Sequence, residues 1–137
     1  KHLRIQVKMP HGHPPGWAPQ EIGLFIDSKC RSGKALPILG QPRLGGDMVK
    51  VTVNSTPPTK LKSAALHYTT DGGLRSKREW ITVPASISSD TTESNSAVVT
   101  QVNEISVPKP PADANTWFIS VTDERGAMVS TDVVLKP

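Results

Sequence analysis

The sequence predicts a mainly β protein, in which a short strand-loop-helix unit at residues 1–36 precedes an antiparallel sandwich of about seven strands at residues 37–137. Three observations carry this. Beyond Pro37, short apolar-polar alternations recur at intervals of about ten residues and are separated by turn chemistry, the pattern of an all-β sandwich. Before it the grammar differs, with one alternating run, a break rich in proline and glycine, and one run of helical period. The chain has 137 residues, 36% of them hydrophobic, enough for one compact unit with a modest core.

Leu3, Ile5, Val7 and Met9 alternate with Arg4, Gln6 and Lys8, which predicts a strand with one buried face. Pro10 ends it, because proline has no N–H for a ladder. Residues 11–16 (His-Gly-His-Pro-Pro-Gly) are then a forced loop. A helix follows Trp17, with Pro19 and Glu21 in its first turn, Ile22, Phe25 and Ile26 on one face, and Lys29, Arg31 and Gly33 as its stop. The strands expected after it are near residues 38–43, 48–54, 64–70, 78–83, 97–107, 117–122 and 127–135. Val49, Val51 and Val53 form a buried face, and Asp71-Gly72-Gly73 is a hairpin turn. Gly126 takes the left-handed position of a bulged turn, and residues 86–96, rich in Ser, Thr, Asp and Asn, form a loop. This strand number is that of an immunoglobulin-like or fibronectin-like sandwich.

Sixteen Lys and Arg against twelve Asp and Glu give a net charge of +4, but the basic residues are dispersed and aromatics make up 4%. Nucleic-acid binding, which needs a basic face interleaved with stacking rings, is not expected. No apolar run approaches the roughly 20 residues that cross a bilayer, so no membrane partner is expected. The single cysteine, Cys30, forms no internal disulfide and reads as a buried or half-buried structural residue. The chain opens on Lys1 without a signal-peptide pattern and reads as a piece of a longer polypeptide.

His11 and His13 lie in a rigid loop between strand and helix, where an imidazole can face a cleft. A histidine there suits a general base, which activates a serine and is itself oriented by a carboxylate. In α/β-hydrolases the chain order is serine, acid, histidine, so the other two members would lie upstream of this chain. A zinc or copper site from His11, His13 and His2 is the competing arrangement, but no cysteine or carboxylate has ligand-like spacing nearby, and neither metal nor cofactor is expected. Trp80 and Trp117 read as sandwich core, and Trp17, directly after the histidine loop, as a substrate-binding residue at the mouth of a cleft.

The run from Met9 through Pro10-His11-Gly12-His13-Pro14-Pro15-Gly16-Trp17-Ala18-Pro19-Gln20-Glu21-Ile22 to Phe25-Ile26-Asp27 resembles the last strand, histidine loop and last helix of α/β-hydrolases of the prolyl-oligopeptidase-like and acetyl-xylan-esterase-like types. Gly12-His13 with Gly16 is similar to their Gly-His-Gly-x-Gly loop. The resemblance implies that His13 is the triad histidine. Pro14 stands where that loop commonly has glycine, which keeps His11 as the fallback. Leu66-His67-Tyr68-Thr69-Thr70-Asp71-Gly72-Gly73, Trp80 with Val83-Pro84-Ala85, and residues 117–126 resemble the immunoglobulin-like domain that trails the hydrolase core in some bacterial esterases.

The function implied is that of the C-terminal part of a serine esterase, acting in the parent on acylated polysaccharide or a small ester in the periplasm or outside the cell. Without nucleophile or acid the chain would be inactive alone. Its strand at residues 3–9, severed from a parallel sheet, would pair with the sandwich edge or with a second copy as a homodimer. The alternative of a different class is a non-catalytic module that binds polysaccharide or protein through one sandwich face.

Overall fold

The computed structural model describes residues 1–137 apart from 11, 57, 75–76, 93–99 and 136–137, and only the backbone of residues 90–92. Strand accounts for 44% of the chain and helix for 14%. The helices are α1 (His13–Trp17) and α2 (Gln20–Cys30). The strands are β1 (Ile38–Leu39), β2 (Arg43–Gly45), β3 (Met48–Ser55), β4 (Leu61–Thr69), β5 (Ile81–Thr92), β6 (Thr100–Pro108), β7 (Thr116–Asp123), β8 (Met128–Ser130) and β9 (Val134–Leu135).

All pairings are antiparallel and run in the order β1-β3-β6-β5-β4-β7-β8, with β2 on β3 and β9 on β7. β5 changes partner midway: Ile81 to Ala85 pair with β4, and Ser86 to Thr92 pair with β6. A strand that switches partners in this way bends the sheet round on itself. Pro84 sits in the half of β5 that has one neighbour, the edge position to which a strand proline is confined. The two ends of the path, β1 and β8, touch, so the sheet is nearly closed on itself. Inside it Val49, Val51, Val53, Leu66, Ile105, Val107, Ile119 and Val121 are each at most 1% exposed. The alternation of valines in β3 thus faces the core as expected.

Several expectations are corrected. Residues 3–9 form no strand. The segment lies along β8, with Leu3 C=O accepting from Ser130 N–H (2.7 Å) and Ile5 N–H donating to Ser130 Oγ (3.1 Å). A three-residue edge strand supplies too few ladder groups for a second strand, and Lys8, at φ 56°, turns the chain before Met9. Residues 13–17 are a short helix, not a loop: Pro14 and Pro15 fit its first turn, where a missing N–H costs nothing. Residues 86–92 are strand because Ile87 packs on the core and β6 offers a ladder; the rest of that predicted loop, residues 93–96, lies outside the described residues.

Asp71-Gly72-Gly73 is not a tight hairpin turn. Asp71 Oδ1 accepts from Gly73 N–H at 2.7 Å, neither glycine has positive φ, and β5 begins only at Ile81. Gly126, in contrast, does take the left-handed conformation at φ 81° and closes the turn between β7 and β8. Trp117 is core, whereas Trp80 is half-buried and stands edge-on to Phe118 at 5.6 Å on the opposite face of β7. Cys30 is exposed. At the end of α2, Ser32 rather than Gly33 takes positive φ; Gly33 is required because a Cβ there would meet the Asp27 backbone at 3.1 Å.

The β7–β8 turn also ties residues 1–36 to the sheet. Asp123, fully buried, accepts from Arg125 Nε (2.9 Å), Arg125 Nη2 (2.6 Å) and the N–H groups of Arg125 and Ala127. The same guanidinium donates to the carbonyls of Lys34 (2.9 Å) and Ala35 (3.1 Å), capturing the chain as it leaves α2. Removing one partner of such a pair leaves the other charge buried and alone. Arg125→Ala is expected to lower unfolding free energy by about 3 kcal/mol in a denaturant titration. A change below about 1 kcal/mol would contradict the role assigned to this pair.

Candidate functional site

His13 opens α1 and is exposed, as is Trp17 at the helix end, 76% of whose surface is open. Gly12, before the histidine, has φ 135°, a conformation that disfavours any side chain, so the glycine of the Gly-His pair has a local backbone reason. The two prolines and the bond from Ala18 N–H to Pro14 C=O (2.9 Å) stiffen the helix, and only Ala18 and Pro19 separate it from α2. The structure thus places His13 and Trp17 on one rigid element. His11 lies outside the described residues. His2 is elsewhere, edge-on to Phe25 at 5.7 Å and close to the backbone of Pro37. Burial, then the amino-terminal charge, lowers its pKa; Lys29 adds to this, and the Pro37 backbone opposes it. Among the described residues no three of His, Cys, Asp and Glu gather as a metal site, and no helix is long and apolar enough to cross a membrane.

α2 is seated through Glu21 and Leu24, the latter partly buried against the core, while its other apolar residues are left about half exposed. Its buried residue is Glu21, whose Oε1 accepts from Met128 N–H at 2.7 Å and whose Oε2 stands 3.2 Å from Arg4 Nε, held by charge without hydrogen-bond alignment. Ile22, Phe25 and Ile26 are 45%, 41% and 49% exposed. With Met9 and Ile38 they line an open apolar groove of about 760 Å³. A smaller hollow of about 400 Å³ lies beside α1, bounded by Arg4, Gln6, Pro15 and Gln20.

A further histidine, not singled out by sequence reasoning, is held on the outer side of β4. His67 Nε2 is 2.8 Å from Ser120 Oγ and Nδ1 is 3.0 Å from Thr82 Oγ1, while the ring stacks on Phe118 at 4.8 Å. It is a serine-histidine pair in which a threonine hydroxyl occupies the place of an orienting carboxylate, and Ser120 is 5% exposed. That arrangement braces three strands and presents no nucleophile. Only the register of β4 between β5 and β7 brings these residues together, so no local motif marks them.

No family model matches the chain, and neither the curated proteins nor the solved structures searched contain a match.

Burial lowers the His67 pKa from its ordinary value. The unfolded chain therefore takes up a proton near pH ~6.5 that the folded chain refuses, so the folded state loses stability as pH falls below that value and keeps it above. The melting temperature is expected to fall between about pH 7.5 and 5.5, with a shallower slope in His67→Gln. An unchanged slope in that variant would contradict the assignment.

Proposed function

We propose that this chain is the C-terminal part of a serine hydrolase, an esterase of the acetyl-xylan-esterase-like type, in which His13 is the general base and the β region an accessory immunoglobulin-like sandwich. The observation that carries this reading is the incomplete seating of α2: it docks on its own β region through Glu21 and Leu24 and leaves Ile22, Phe25 and Ile26 about half exposed in an open groove that Leu36, Met128 and Val129 also line. Burying the remaining half of each such side chain is worth about 1 kcal/mol, and an amphipathic helix with a half-exposed apolar stripe fits against a second body. The α/β body that the resemblance implies upstream is that second body. Self-association of the chain without it would use the same groove.

In the intact enzyme, His13 takes the proton of a serine attacking an acyl carbonyl and returns it to the leaving alcohol. The serine and the carboxylate that orients the imidazole come from the preceding body. His13 is free to meet them because α1 presents it away from the sheet on a stiff, proline-bounded turn. Trp17, on the same helix, offers a flat indole to a sugar ring, in keeping with an acylated polysaccharide as substrate and an exported enzyme. The β region, antiparallel strands around one apolar core, supplies the platform on which this unit rests.

The test is hydrolysis of p-nitrophenyl acetate by the polypeptide in which this chain follows a body with a Gly-x-Ser-x-Gly elbow. His13→Ala is expected to lower kcat at least about 10³-fold with the fold retained, and His11→Ala to leave it within a few-fold. Absence of activity, or activity that survives both His13→Ala and His11→Ala, would reject the catalytic reading in favour of a non-catalytic module that binds polysaccharide or protein.

A further inference from the structure

The contacts between α2 and the β7–β8 turn point to a role for the β region beyond that of an appendage. Two consecutive side chains at the start of α2 meet the turn. Gln20 Nε2 donates to the Arg125 carbonyl at 3.2 Å, and Glu21 Oε1 accepts from Met128 N–H at 2.7 Å. The turn is shaped for this. Gly126 holds φ 81°, and a Cβ there would meet Gln20 Nε2 at 3.1 Å, so the bare glycine leaves room for the amide. Arg125 is itself immobilised by buried Asp123 and grips the carbonyls of Lys34 and Ala35 at the far end of α2. The helix is thus held at its first turn and just past its last.

What is fixed there is fixed for α1. Ala18 N–H bonds Pro14 C=O and Ile22 N–H bonds Pro19 C=O at 3.1 Å, so the two helices are joined by a connection with little freedom, and Pro15 shares the hollow with Gln20 and Gly126. We propose that Gln20 and Glu21, seated on the β7–β8 turn, are positioning residues that set where His13 stands. This deepens the hydrolase reading and, for its meaning in catalysis, rests on it. An imidazole misplaced by about 1 Å can cost of the order of 10²-fold in rate, which gives a trailing domain a direct grip on turnover.

The experiment uses this chain and three substitutions, followed by the imidazole proton resonances of His13 and by amide exchange at residues 18–22. Glu21→Ala is expected to shift the His13 resonances and to speed exchange there at least tenfold, with β3, β6 and β7 unchanged. Glu21→Gln, whose amide oxygen still accepts from Met128 N–H, is expected to restore both. Gln20→Ala, which removes only the bond to Arg125, is expected to give a smaller change of the same kind. Native resonances and exchange in Glu21→Ala would overturn the proposal, as would failure of Glu21→Gln to restore them. Ester turnover by the longer polypeptide separates this from the catalytic reading. Loss of kcat in Glu21→Ala at constant KM, beside loss in His13→Ala, supports both. Loss in His13→Ala alone overturns the positioning role, and full activity in His13→Ala overturns the catalytic reading while the resonance test still decides the seat of α1.

Discussion

The Arg125 guanidinium shares its donors between a buried carboxylate and two carbonyls of a different part of the chain, and the placement of residues 1–36 follows from that division. Asp123 at the end of β7 is fully buried and satisfied by two backbone N–H groups as well as by the arginine, so the turn is rigid before it meets anything else. With the guanidinium oriented, its remaining donors can reach only Lys34 and Ala35, and the exit of α2 is captured. Gln20 and Glu21 complete the seat from the other end. An 11-residue helix is marginal by itself in water, and here polar tethers, together with Leu24 packed on the core, keep it in place.

That choice of tethers explains the surface the molecule presents. Because Glu21 is used for docking, the apolar stripe of α2 stays about half exposed, and residues 1–9, running on β8, wall its groove and set His2 edge-on to Phe25 without closing over it. His13 and Trp17 stand on the helix that leads into this face. The joint exposure of a half-covered apolar helix face and a histidine is what the hydrolase proposal accounts for in one step: the same body would complete the burial of the first and supply chemical partners to the second.

Much of the β region was legible because its signals are local. The valine alternation of β3, the glycine of the β7–β8 turn and the apolar run of β7 each depend on a few adjacent residues, and each took the expected form. Where the outcome turned on partners distant in sequence, the local pattern misled. Residues 3–9 alternate as a strand does, yet β8 is too short to pair with them, and residues 86–92 have loop composition but meet a full ladder in β6. The face of α2 was identified, but not its direction, since nothing in the residues 20–30 says that Glu21 will find Met128. His67, Ser120 and Thr82 were invisible for the same reason: their constellation exists only in the register of three strands. His13 and Trp17 could be singled out because a glycine-proline frame marks its own rigidity.

The central claim is that the outward face of α2 is the seat of a preceding hydrolase body, and hydroxyl-radical footprinting of side chains tests it most directly. Ile22, Phe25 and Ile26 are expected to oxidise readily in this chain and at least about fivefold more slowly in the polypeptide that includes the upstream body, while Val51 and Ile119 stay protected in both. Equal oxidation of the three residues in the two proteins would contradict the account.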